Sequence, residues 1–190
     1  NLNLFFELYH TSANEHRARQ SLQCIVQLAS VRRSLFQNEA ERKVFLAEIM
    51  KQTIDVMDSS GIEDEGVFHE LSRLLARIKA NFQLTEIVGV DEYERWVEYA
   101  ARITVESLTS WQFGLNADHY LLSFWSRMVA TLPYLKGPKP SLLDVFVPQI
   151  VEAFVQSRIA MAKEVCHNDL YDNVLKEEEV LLSMLEGFPQ

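Results

Sequence analysis

The chain has 190 residues, a net charge of −9, and 48% hydrophobic and 11% aromatic side chains. That is enough apolar material for a packed core, which excludes a disordered chain; the acidity disfavours nucleic acid and favours basic protein surfaces as partners. Six glycines and five prolines are too few for a turn-rich β fold, and no apolar run approaches the ~20 residues of a membrane span.

The first amphipathic stretch, residues 1–10, reads as the end of a preceding repeat. Residues 15–36 follow, with Leu22, Ile25, Val26, Ala29 and Phe36 on one helical face. Asn38 and Glu41 then have the spacing of a capping box, and residues 39–58 carry Phe45, Leu46, Ile49, Thr53, Val56 and Met57 as the next stripe. An acidic linker, DSSGIEDEG at 58–66, is expected as a solvated loop.

The central hairpin occupies 67–113. Its first arm, 67–88, aligns Phe68, Leu71, Leu74, Leu75, Ile78 and Phe82. Its second, 91–113, aligns Tyr93, Trp96, Val97, Ala100, Ile103 and Thr104 behind an Asp91–Glu94 box. Gly89 between them marks a helix stop, and a connection this short makes the arms antiparallel. Asn116 opens an aromatic-rich run at 117–135 with Leu121, Phe124, Trp125, Met128 and Leu132 on one side. KGPKP at 136–140 breaks it, since proline and glycine there do not continue a helix. A third box, Ser141–Asp144, opens a run to about Val165, and Pro148 predicts a short first piece or a kink. Residues 176–190 read as the start of a following repeat. The chain begins at Asn1 without a methionine, and both termini fall inside amphipathic runs, as in a piece of a longer protein.

Helix pairs thus occupy 15–58, 67–113 and 117–165, starting 52 and then 50 residues apart. This is slightly longer than the ~40–47 of HEAT and armadillo units and far from the ~34 of tetratricopeptide repeats. The fold class is all-α, a HEAT/armadillo-like α-solenoid segment of antiparallel pairs; one globular bundle is the alternative.

The first helices of the pairs carry +3, +1 and +1, the second helices −1, −3 and −1. In a solenoid each set forms its own wall, so an acidic concave wall would face basic proteins; ordinary scatter of surface charge is the alternative. The residues placed on it by helical phase are Glu48, Asp55, Glu98, Arg102, Glu106, Glu152 and Gln156, with Glu63, Asp64 and Glu65 as an acidic loop contact.

No catalytic, cofactor-binding or metal-ligating residue is assigned. Glu-x-x-His occurs at Glu7–His10 and at Glu164–His167, a pattern used by di-iron bundles, but both copies fall at helix ends. His69 and His119 suit capping or surface roles. Trp96, Trp111 and Trp125 suit the core. Arg32 and Arg33 suit the carbonyls at a helix C-terminus or a bridge to the next repeat, with a basic binding site as the other reading. Cys24 and Cys166 match no metal or disulfide spacing and are expected as buried, reduced thiols.

Several runs resemble the exportin-7 branch of the importin-β-like nuclear transport receptors: CIVQLASVRRSLF at 24–36, ELSRLLARIKANFQLTEIV at 70–88, YLLSFWSRMVATLPYLKG at 120–137 and LFFELYH at 4–10. The resemblance implies a long HEAT-repeat superhelix with this piece in its N-terminal half. It implies a receptor that binds the GTP form of Ran GTPase together with protein cargo, passes the nuclear pore on Phe-Gly nucleoporins, and shuttles between nucleus and cytoplasm without membrane insertion. The main Ran-binding repeats of such receptors precede this stretch, and the resemblance transfers no binding residue by number. A helical-repeat scaffold outside transport is the alternative function.

Overall fold

The structure, a computed structural model, describes residues 2–58, 64–109, 114–135 and 140–164. They form eight α-helices: α1 Leu2–Thr11, α2 Glu15–Leu28, α3 Glu39–Asp58, α4 Glu65–Asn81, α5 Leu84–Val88, α6 Tyr93–Thr109, α7 Gly114–Ala130 and α8 Ser141–Glu164. Two 3-10 turns, Arg33–Leu35 and Leu132–Tyr134, join them. No strand occurs among the described residues.

The helices stack in two layers. In one, α4 lies between α2 and α7; in the other, α6 lies between α3 and α8. Helix α1 packs on α2, and α6 and α7 join the layers. The expected stripes supply the core: Leu22, Ile25, Leu46, Ile49, Leu71, Leu75, Trp96, Leu121 and Trp125 are all buried. The core runs unbroken from Leu2 and Phe6 to Ile150 and Phe154. The two layers are pinned by aromatic contacts. Trp96 meets Phe124 edge-on at 5.5 Å, and the Trp125 indole N–H donates to the Thr104 hydroxyl at 2.9 Å.

Several boundaries differ from the sequence reading. The 15–36 run stops as a helix at Leu28. The carbonyls of Ala29 and Val31 then accept the Asn81 side-chain amide from α4, each at 2.9 Å. That is the work assigned to Arg32 and Arg33. Arg33 instead pairs with Glu39 at the start of α3, 2.7 Å away. The 67–88 arm is two helices. Phe82 is extended, with φ −112° and ψ 138°, and Gln83 with Glu86 forms a reciprocal capping box that restarts the chain as α5.

The boxes fare unequally. At Asn38 the side chain accepts the Glu41 N–H at 2.8 Å, while Glu41 reaches back to the Gln37 N–H. Asp91 lies in a turn before α6, whose Trp96 N–H donates to the Glu92 carbonyl instead. Ser141 is already helical, with the Pro140 carbonyl preceding it. Helix α8 runs unbroken through Pro148 rather than starting as a short piece. Cys24 is exposed, not buried: Leu22, Ile25, Val26 and Ala29 take the inner face of α2, and position 24 points away from it. Trp111, Cys166, His167, KGPK at 136–139 and the run from 176 lie outside the described residues.

Candidate protein-interaction surface

The outer face of the α3/α6/α8 layer carries most of the polar residues singled out above. Asp55, Glu98, Arg102, Glu106, Glu152 and Gln156 are exposed, and Glu48 is half-buried, accepting from the Gln52 amide at 2.9 Å. Glu98, Arg102 and Glu106 line one open groove of about 670 Å³ between α6 and α8, floored by Val105 and Phe146 and edged by Gln149. Glu48, Asp55, Glu152 and Gln156 share the layer but not the groove.

Helical phase fixes the groove's charges. Arg95, Tyr99, Arg102 and Glu106 fall three or four residues apart on α6, so their side chains meet. The Arg102 guanidinium lies 4.4 Å from the Tyr99 ring centroid, and Arg95 lies 5.4 Å from it. The Tyr99 hydroxyl donates to Asp58 at 2.6 Å, and Arg95 sits 3.8 Å from the same carboxylate. Arg102 donates to the Met57 carbonyl at 3.1 Å and holds Glu106 at 3.9 Å. Tyr99 first, then Asp58 and Asp55, favour the charged form of Arg95.

Tyr99, Arg95 and Asp58 were absent from the sequence reading of this surface, although Tyr99 stands four residues after one arginine and three before another. That signal was available. The approach of Phe146 and Gln149 from α8 was not, because only packing supplies it.

The acidic loop positions stand apart from this layer. Asp64 caps α4, its carboxylate accepting the Val67 N–H at 2.7 Å, and Glu65 lies in that helix's first turn. Both belong to the other layer. Glu63 lies outside the described residues.

The charge asymmetry is also smaller on the true helices. Arg32, Arg33 and Lys136 fall outside α2 and α7, leaving +1, +1 and 0 on α2, α4 and α7 against −2, −1 and −1 on α3, α6 and α8. The sign of the difference survives; most of the positive excess does not.

Of the two Glu-x-x-His copies, Glu7 and His10 are exposed on α1, and His167 lies outside the described residues. No group of three or more His, Cys, Asp or Glu side chains gathers at metal-binding distance among the described residues. His69 is half-buried against Tyr120, with ring centroids 5.4 Å apart; burial lowers its pKa, opposed by the Glu70 charge and aided by Arg73 and Arg19.

No protein-family model matches the chain. It is 42% identical over 172 residues to Ran-binding protein 16 of Drosophila melanogaster, covering 90% of this chain and 16% of that protein. It is 41% identical over 186 residues to Ran-binding protein 17 of Homo sapiens, 97% of this chain and 17% of that protein. It is 33% identical over 190 residues to exportin-7 of Dictyostelium discoideum, 99% of this chain and 18% of that protein. The chain thus spans less than a fifth of the length of these relatives, while nearly all of it aligns.

Proposed function

From the homology of this chain to one segment of the exportin-7 and Ran-binding protein 16/17 family, we propose that it is a HEAT-repeat segment of a non-enzymatic nuclear transport receptor. The whole receptor binds Ran in its GTP form and a protein cargo, passes Phe-Gly nucleoporins, and moves between nucleus and cytoplasm. The division into helix pairs at 15–58, 67–113 and 117–165 is part of this reading.

The observation that carries it is identity of 33–42% sustained over 90–99% of the chain. The two-layer stack supports it, because a solenoid offers long walls rather than an enclosed pocket. The α3/α6/α8 wall is the partner-facing one in this proposal, with Glu98, Arg102 and Glu106 at its groove and Glu48, Asp55, Glu152 and Gln156 around it. In this proposal Asp64 and Glu65 contribute negative charge at the start of α4, with Glu63 preceding them in the sequence.

The test is a pull-down with the full-length protein and Ran locked in each nucleotide state. Preference for the GTP form is expected. Equal recovery of both forms, or of neither, would leave a helical scaffold outside transport. Charge reversal at Glu98 and Glu106 should weaken Ran or cargo binding at low salt, with the difference narrowing as salt screens the wall; unchanged low-salt affinity would remove the wall from the proposal.

A further inference from the structure

A second open pocket, of about 670 Å³, lies on the opposite layer where the C-terminal ends of α4 and α7 come together. Lys79 and Arg127 both line it, and none of its lining residues is acidic. Lys79 is only 6% exposed. Among the described residues, neither cation has a carboxylate within ion-pair distance, and the Lys79 ammonium makes no hydrogen bond. The acid whose charge acts on Lys79 is Glu86, and that carboxylate is committed to Arg42 at 2.7 Å and to the Gln83 N–H at 2.8 Å.

The Lys79 stem is packed away while its ammonium opens on the pocket beside a second cation, with no carboxylate among the described residues paired to either charge. The helix ends account for part of its presence: each C-terminus carries roughly −0.5 of an elementary charge, so two ends offset about half of the two cations and leave roughly one positive unit. The remainder is a positive socket in a chain of net charge −9. Its walls are apolar at Phe82, Leu84 and Leu135, and Tyr134, 85% exposed, stands at the rim.

We propose that this pocket seats a single aspartate or glutamate side chain of a protein partner. The carboxylate lies between Lys79 and Arg127, its aliphatic stem lies on the Phe82 wall, and Tyr134 covers the neighbouring backbone. The walls favour an acid on a hydrocarbon stem over a free anion, and tyrosine is a residue enriched where protein partners bind tightly. Desolvation and then the Arg127 charge push the Lys79 pKa down; a bound carboxylate would offset the repulsion between the two cations. The inference is independent of the α3/α6/α8 wall, which carries the opposite sign.

The test is fluorescence anisotropy of fluorescein-labelled hexaglutamate against the full chain at low salt. Hexaglutamine, labelled alike, runs in parallel, and inorganic phosphate is followed by isothermal titration calorimetry. Overall charge repels hexaglutamate, so binding must be local. Saturable binding is expected, weakened about fivefold by Lys79→Met or Arg127→Met, because each removes one of the two cations that face the carboxylate. Lys43→Gln with Lys51→Gln, at exposed positions on α3, should leave it unchanged. Arg127 is itself exposed, so its variant tests the pocket even where Lys79→Met disturbs folding. Failure of hexaglutamate to bind, an equal loss in the Lys43/Lys51 variant, or binding of phosphate alone would overturn the proposal.

Discussion

Arg42 is 3% exposed in the middle of an apolar packing surface. Its guanidinium donates to Glu86 at 2.7 Å and to the Asn81 carbonyl at 2.7 Å, and lies 4.1 Å from the Phe82 ring centroid. One side chain thus ties α3 to the break between α4 and α5. Burial pushes the Glu86 carboxyl up, but hydrogen bonds from Arg42 and the Gln83 N–H, with the Arg42 charge, hold it below its ordinary value of 4.5. A carboxylate with a depressed folded pKa adds stability above its unfolded pKa, and that stability is lost as pH falls through the folded one. Glu86→Gln should therefore cost about 2–3 kcal/mol at neutral pH, less than the ~3–5 of a fully buried pair because Glu86 is partly solvated, and should flatten the acid limb of the stability curve below pH 4.5. Chemical denaturation across pH 3–7 checks both. Thr104→Val is a second test. It leaves the buried Trp125 N–H without its acceptor, at a cost of about 1–3 kcal/mol in the same measurement. Neither role could be read from the sequence, where Arg42 is one of three bases on an acidic helix. The stripes themselves were legible, since period alone put Trp96, Val97 and Ala100 inside.

Caps decide where the elements begin and end. The sequence groups Asp64 with Glu63 and Glu65 as a loop contact, yet its carboxylate accepts the Val67 N–H. A cap and a contact make different predictions. Asp64→Ala should destabilise the chain by about 1 kcal/mol, and Asp64→Asn, which still accepts the bond, should restore most of that. If thermal melts of the two variants coincide while partner binding falls equally in both, the carboxylate acts as a contact. The α4/α5 break was missed for a related reason. Phe82 continues the apolar stripe and is buried at 1%, so periodicity runs straight through a residue whose backbone is extended. Gln83 and Glu86 did carry the signal, three residues apart. Pro148 misled in the other direction: it removes one N–H from α8, but the packed face through Leu143, Val147 and Ile150 keeps the helix together.

At the scale of the whole molecule, the choice between a bundle and a solenoid decides how stability is distributed. In each layer the extensive contacts join nearest neighbours: α2 with α4 and α4 with α7, as α3 with α6 and α6 with α8. The sequence made this stacking legible through start positions 52 and 50 residues apart, whereas the groove between α6 and α8 and the pocket between α4 and α7 arise only once the rods are laid side by side. In such a stack, stability is approximately a sum over units and their adjoining faces, so damage at one end should stay there. Ile25 is fully buried on α2, and Ile25→Ala removes packing worth about 2–5 kcal/mol. Amide hydrogen exchange of the variant should then show lost protection in α1, α2 and the adjoining face of α4, with α6 and α8 exchanging as before. The converse variant, Ile150→Ala on α8, should open α8 and α6 and spare α2. Uniform loss of protection in either variant would mean that the unbroken core from Phe6 to Phe154 opens as one cooperative unit, and the quasi-one-dimensional account of the fold would then be wrong even though its helices are correctly placed.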